Sequence, residues 1–424
     1  MLRATLTLLA GGALAQALPL LLGPLLTRLY APQEFGAFHL FAAVAGNLAV
    51  VACGRYEFAL PLARTPAEAT LLRRLCGRLL GLAAGLSALG GLGWAWWSGL
   101  GWALWLGPAV AVGGALSLAT MWATRAGRFQ ALAVARVLQY GGAALAQAVA
   151  GALHGGVLGL VVAPIAAQGL AVLLLWAGGR ARPAAPVSAG PPATPAAPVP
   201  TLRTTAWQFR EFPLLNTPHA FLGALQDTAS LALIAATLGP AAAGFWGLAL
   251  RYLKAPATLV GSAVSQVLYP QLAARGPGPT PAARAAVRRV MGLLGALALL
   301  LSIVLAAAGP WLFERLFGAG WREAGELARV LAPYIGAHFV AAPLAVVTMA
   351  WGAQAWALRL ALWGQAAFVG ALALGLHLGG LQGAGRAVSL AMLVYFGWYF
   401  WRLATWPCTE PIDPPTAPTP ESSP

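Results

Sequence analysis

Uncharged or nearly uncharged stretches of about 18 or more residues recur about a dozen times along this chain. Each is long enough to cross the roughly 30 Å hydrocarbon core of a bilayer as a helix. So many successive runs leave little room for any architecture but an all-α polytopic membrane protein. Composition agrees: only 9% of the 424 residues are charged and 59% are hydrophobic, against roughly 25% charged in a soluble domain.

The predicted spans are 5–27, 37–61, 79–99, 102–123, 132–153, 157–177, 213–238, 242–268, 290–310, 328–350, 354–376 and 383–404. Arg3, an apolar stretch and Ala15-Gln16-Ala17 resemble a cleavable signal peptide, but the run continues through Leu26 and reads as the first span. Prolines 183, 186, 191, 192, 195, 198 and 200 make an extended linker of 180–205. The expected organisation is therefore a six-helix bundle over 1–179, that linker on the cytoplasmic side, a second six-helix bundle over 206–404, and a disordered Pro-rich tail over 405–424.

Loop charge sets orientation, because Lys and Arg are retained on the cytoplasmic side. Counted from the N-terminus, with Arg329, Arg359 and Arg386 near helix ends assigned to the adjoining loops, the even-numbered loops sum to +13 and the odd-numbered loops to +1. Both termini are expected in the cytoplasm of a bacterial cell, with the chain in its inner membrane. A missed span would have scrambled the alternation. Trp94, Trp96, Trp97, Trp102 and Trp105 cluster at the third loop, as an interfacial aromatic belt does.

The net charge of +15 and pI near 11.1 come without a basic stripe or recognition motif, which argues against a nucleic-acid partner. Cys53, Cys76 and Cys408 show no metal-ligand or disulfide spacing, so no metal is expected. The first odd loop of each half carries Pro-x-x-x-Gly, Pro32 to Gly36 and Pro240 to Gly244, 208 positions apart at both residues. With an even number of helices per half, that is a parallel repeat about an axis along the membrane normal.

Four stretches resemble one family: Pro24-Leu-Leu-Thr-Arg28-Leu-Tyr-Ala-Pro32-Gln-Glu-Phe-Gly36, Gly54-Arg55-Tyr56-Glu57-Phe-Ala59, Phe212-Pro213-Leu-Leu-Asn216-Thr-Pro218 and Phe317-Gly-Ala-Gly-Trp321-Arg-Glu-Ala-Gly325. The resemblance is to the polysaccharide and O-antigen flippases of the multidrug/oligosaccharidyl-lipid/polysaccharide (MOP) superfamily. It implies a V-shaped pair of six-helix bundles that carries an undecaprenyl-diphosphate-linked oligosaccharide from the cytoplasmic to the periplasmic leaflet by alternating access. Relatives often couple the step to a proton or sodium gradient; this chain shows no clear cation site, and no cofactor is expected. The implied partners are the lipid-linked sugar, membrane lipids, and polysaccharide polymerase and chain-length proteins, with the chain itself a monomer.

An anionic, hydrated head group needs a cationic cavity to cross hydrocarbon, and a charge at the centre of a span costs about 2.5–3.5 kcal/mol on insertion scales. Asp227 lies twelve residues before Gly239, and Arg251 eleven after Pro240. At about 1.5 Å per residue both sit roughly 17 Å from that turn, near the midplane. Lys254, the chain's single lysine, follows Arg251 one turn deeper. Arg251 and Lys254 are candidate diphosphate contacts and Asp227 their counter-charge or protonation switch; the plainer alternative is a buried ion pair that fixes the hairpin.

Arg55 and Glu57, at the inner end of the second helix, are gate candidates together with Arg28, the alternative being side chains that snorkel to the head groups. Arg136 is similarly ambiguous. Gln16, Asn47, Gln139, Gln147, Gln168 and Gln365 can meet sugar hydroxyls or bridge helices. His338 is the one histidine deep enough for proton coupling.

The odd loops are too short and too poor in charge for the site of a membrane glycosyltransferase or polymerase, so no catalytic residue is assigned. A drug exporter of the same superfamily shares the topology but favours acidic cavities. A scaffold has no use for buried charge.

Overall fold

The computed structural model of the chain describes residues 17–177, 201–273 and 279–407. Among them are helices and turns and no strand. Gln16, Cys408, the start of the first span, most of the predicted linker and nearly all of the tail lie outside the described residues.

In chain order the helices are α1 (Ala17–Leu29), α2 (Pro32–Val51), α3 (Pro66–Ser98), α4 (Leu106–Arg125), α5 (Phe129–Val137), α6 (Ala143–Ala152), α7 (Gly156–Ala177), α8 (Leu202–Gln208), α9 (Thr217–Leu238), α10 (Pro240–Ala273), α11 (Pro281–Phe317), α12 (Arg322–Ala350) and α13 (Gln354–Ala404). A widened π turn, Leu138–Gly142, joins α5 to α6 as one crossing, and a second, Phe212–Asn216, leads into α9. The backbone leaves helical geometry at Gly379 and Gly380, so α13 supplies two crossings. Among the described residues, helix therefore occupies each predicted span in the predicted order, the first of them described only from residue 17.

Eight of these segments are long and apolar enough to cross a membrane on those grounds alone. The others have local reasons to fall short. α1 is described only from residue 17, α5 and α6 are each half a crossing, and α10 carries Arg251 and Lys254 among polar neighbours.

Several expected boundaries are corrected. α2 stops at Val51 rather than 61, because Gly54 and Arg55 both adopt left-handed backbone (φ 58° and 59°). A short 3₁₀ helix, Tyr56–Leu62, follows. α3 begins at Pro66 rather than 79, capped by Thr65, whose hydroxyl accepts from the Glu68 amide at 3.1 Å, while the Glu68 carboxylate accepts from the Arg64 amide at 2.7 Å. Arg73, Arg74 and Arg78, counted as loop charges, are thus helical. The predicted linker also ends early: Leu202–Gln208 is a helix, because Thr201 and Thr204 bond reciprocally across its first turn.

Contacts group the chain into two compact units, Met1–Ala249 with Pro310–Leu327, and Leu250–Gly309 with Ala328–Pro424. In the first, Phe41, Trp102, Leu106, Val110 and Val161 form a core shared by α2, α4 and α7. α9 belongs to this unit because it packs along α2, where the Thr228 hydroxyl donates to the Ala43 carbonyl at 3.1 Å. In the second, Val287, Leu294, Phe339, Leu344, Val347 and Tyr399 fill the space between α11, α12 and α13.

Candidate functional site

The repeated Pro-x-x-x-Gly motifs open α2 and α10, each with its proline at the first helical position, where a missing amide costs nothing. They also lie against each other. A Cβ on Gly36 would overlap the Pro240 carbonyl, and a Cβ on Gly244 would overlap the Pro32 carbonyl. The contact is reciprocal, as a local two-fold relation between repeats requires. One helical turn further on, Gly247 packs flat against the ring of His39, its partner position in the same 208-residue register.

Trp321 covers this crossing. It is 2% exposed, its indole N–H donates to the Thr27 carbonyl at 3.0 Å, and its ring meets Phe35 and Phe245 edge-on at 5.1 and 5.8 Å. Tyr30 beside it donates to the Gln147 carbonyl at 2.7 Å; burial first, and the Glu34 carboxylate second, push its hydroxyl up to about 12, so it stays a donor. Gln147 in turn donates to the Leu160 carbonyl at 2.9 Å, which makes it a helix bridge. The odd-loop end of this unit is thereby closed by backbone contact and aromatic packing. Next to the crossing, a groove of about 660 Å³ is lined by Val44, Trp94, Trp102, Ala232 and Ala236.

The even-loop end is built differently. The left-handed step at Gly54 and Arg55 turns the 3₁₀ helix back under α4. Arg125 at the end of α4 holds that helix by donating to the Leu60 and Ala63 carbonyls at 2.9 and 2.6 Å. Tyr56 donates to the Ala206 carbonyl of α8 at 3.1 Å, and Arg128 caps α7 at the Leu175 carbonyl at 2.7 Å. Arg73 lies over the Trp122 and Trp176 rings. Several of the positive charges that mark this end are therefore structural fasteners as well as topology signals.

Arg55 and Glu57 do not sit on the second helix, as expected, but on the break and the 3₁₀ helix after it. The Arg55 guanidinium stacks 4.1 Å above the Phe58 ring, with its Nε lacking a partner. Glu57 is 1% exposed; Oε1 accepts from Ser117 at 3.3 Å and Oε2 has no partner. Arg28 is exposed at the odd-loop end of α1, far in sequence from this break.

In the second unit, Arg251 and Lys254 are half-buried on α10. Lys254 is close enough to act electrostatically on His338 of α12, whose ring also meets Tyr334 and Phe396 at 5.9 and 6.2 Å. In the first unit Asp227 is exposed on α9 and Arg136 exposed on α5, with Gln139 half-buried in the π turn. Asn47 is 4% exposed with its Oδ1 unsatisfied. π turns interrupt regular helix bonding and are frequent at functional positions, and this one was not foreseen.

A family model described as "polysaccharide biosynthesis protein" matches residues 104–326, more than half of the chain. The chain belongs to that family. No curated protein matches it in sequence. Among solved structures, it resembles an inward-facing MATE-family multidrug transporter of the MOP superfamily at 14% identity and TM-score 0.66, over 92% of this chain and 94% of that one. The lipid II flippase MurJ, in an inward closed conformation, matches at 9% identity and TM-score 0.63, over 95% and 90%. The Vibrio cholerae MATE transporter VcmN matches at 16% identity and TM-score 0.54, over 95% of each. The family member described here thus has the MOP fold over nearly its whole length, and is a multi-pass membrane protein.

Proposed function

We propose that the chain is a flippase for an undecaprenyl-diphosphate-linked oligosaccharide, moving it from the cytoplasmic to the periplasmic leaflet by alternating access. The observation that carries this reading is the half-buried pair Arg251 and Lys254 on α10. Two cations one helical turn apart on one helix offer adjacent positive charges to the two phosphates of a diphosphate. Family membership supports a polysaccharide-pathway substrate, and the MOP fold supports a transporter rather than an enzyme. In this reading the odd loops are periplasmic and both termini lie on the cytoplasmic side of the inner membrane.

Arg251→Gln and Lys254→Gln are expected to abolish translocation while leaving folded protein in the membrane. The measurement is the leaflet location of the accumulated lipid-linked sugar: cytoplasmic accumulation supports flipping, and periplasmic accumulation overturns it. Unimpaired translocation in both variants would return the pair to a structural role. Export of a cationic drug lost on Asp227→Asn, with the sugar unaffected, would favour the multidrug reading instead.

A further inference from the structure

Two of the chain's three cysteines converge with one of its acidic residues at the even-loop end. Cys53 lies in the turn after α2, Glu57 in the 3₁₀ helix and Cys76 in α3, all three at most 1% exposed. Their two sulfurs and a carboxylate oxygen all lie within 4.8 Å of one another. Nothing in their spacing announces this, since 23 positions separate the cysteines. The left-handed step at Gly54 and Arg55 brings Glu57 back beneath α2, against Cys76 on the adjacent helix.

The cluster is unusual for a packing site. Glu57 Oε2 has no partner although it is buried, and an unsatisfied buried oxygen is costly. Each thiol is weakly engaged, Cys53 with the Gly114 carbonyl at 3.9 Å and Cys76 with Cys53. Two sulfurs and one carboxylate are a soft donor set with a single hard oxygen, which selects zinc-type ions over magnesium or calcium. Ligands about 2.0–2.3 Å from a tetrahedral ion stand roughly 3.5–3.8 Å apart, so an approach of about an ångström completes the geometry. Two thiolates, a carboxylate and a divalent ion leave one negative charge, which the Arg55 guanidinium, acting on Glu57, offsets. Ser117, 3.3 Å from Glu57 Oε1, supplies the outer hydrogen bond that orients a ligating carboxylate.

We propose that Cys53, Glu57 and Cys76 form a binding site for a thiophilic divalent cation of the zinc class, which pins the 3₁₀ helix to α3. The thiols surrender their protons as they ligate, and water fills the fourth position.

The test uses the full chain, purified in detergent under reducing conditions. Elemental analysis should find roughly one zinc per chain, falling at least about tenfold in Cys53→Ala/Cys76→Ala and unchanged in Cys408→Ala. Cobalt loading of the unsubstituted protein should give the thiolate-to-cobalt charge-transfer absorption, and zinc should slow maleimide labelling of both buried thiols until a chelator is added. A chain that carries no more zinc than the double variant, or that gives no cobalt–thiolate absorption, overturns the proposal, whether or not the variant folds. The readouts are independent of transport.

Discussion

The two ends of the first unit are held together by opposite means. At the odd-loop end, backbone lies on backbone through Gly36 and Gly244, and Trp321 seals the contact from above. At the even-loop end, long side chains reach across to carbonyl oxygens, as Arg125 does to Leu60 and Ala63 and Arg128 to Leu175. The second unit repeats the latter device, with Arg284 donating to the Trp406 carbonyl and Arg288 to Ala404. Close packing tolerates no added atom, whereas guanidinium arms can release and re-form their bonds while helices shift.

That contrast can be broken in graded steps. Trp321→Ala should have the largest effect, because truncating a fully buried Trp costs about 3–5 kcal/mol; the melting temperature in detergent reads it, and a negligible shift would remove Trp321 from the seal. Arg125→Ala should cost about 1.5–3 kcal/mol, through two charge-assisted bonds to carbonyls. Its signature is faster proteolysis around the Tyr56–Leu62 helix, with the odd-loop end unaltered.

Gly36→Leu should cost the closed crossing about 1–3 kcal/mol through overpacking. Labelling of Ala236→Cys by an impermeant thiol reagent should then rise about tenfold. Unchanged labelling would mean that the glycine contact does not hold this end shut. The smallest effect belongs to Arg322→Gln, whose 2.8 Å pair with Glu314 is solvent-exposed on both sides. Such pairs contribute about 0–1 kcal/mol, so stability should hardly move.

The order of the crossings was legible because apolar runs dominate this sequence. Helix ends were less so. Arg73, Arg74 and Arg78 read as loop, yet they continue α3, since a helix that projects past the hydrocarbon can carry charge on every face. The end of α2 was misplaced because nothing in the residue type marks Arg55 as left-handed; a Gly before it is the only hint.

For the candidate site, the turn from which the position of Arg251 was counted is where the structure has it, at Gly239 between two helices. The Cys53, Glu57 and Cys76 convergence was not visible at all, because it depends on a backbone reversal between distant segments. The 208-residue repeat was visible as a pattern, while its meaning as a contact was not.

The reciprocal glycine crossing has a consequence for how substitutions combine. Methyl groups added at 36 and at 244 would compete for one gap between the same two backbones, so the first would force the helices apart and the second would enter space already opened. Gly36→Ala and Gly244→Ala should each be damaging alone and fall well short of additive together. The two positions behave as a single locus written twice in the chain.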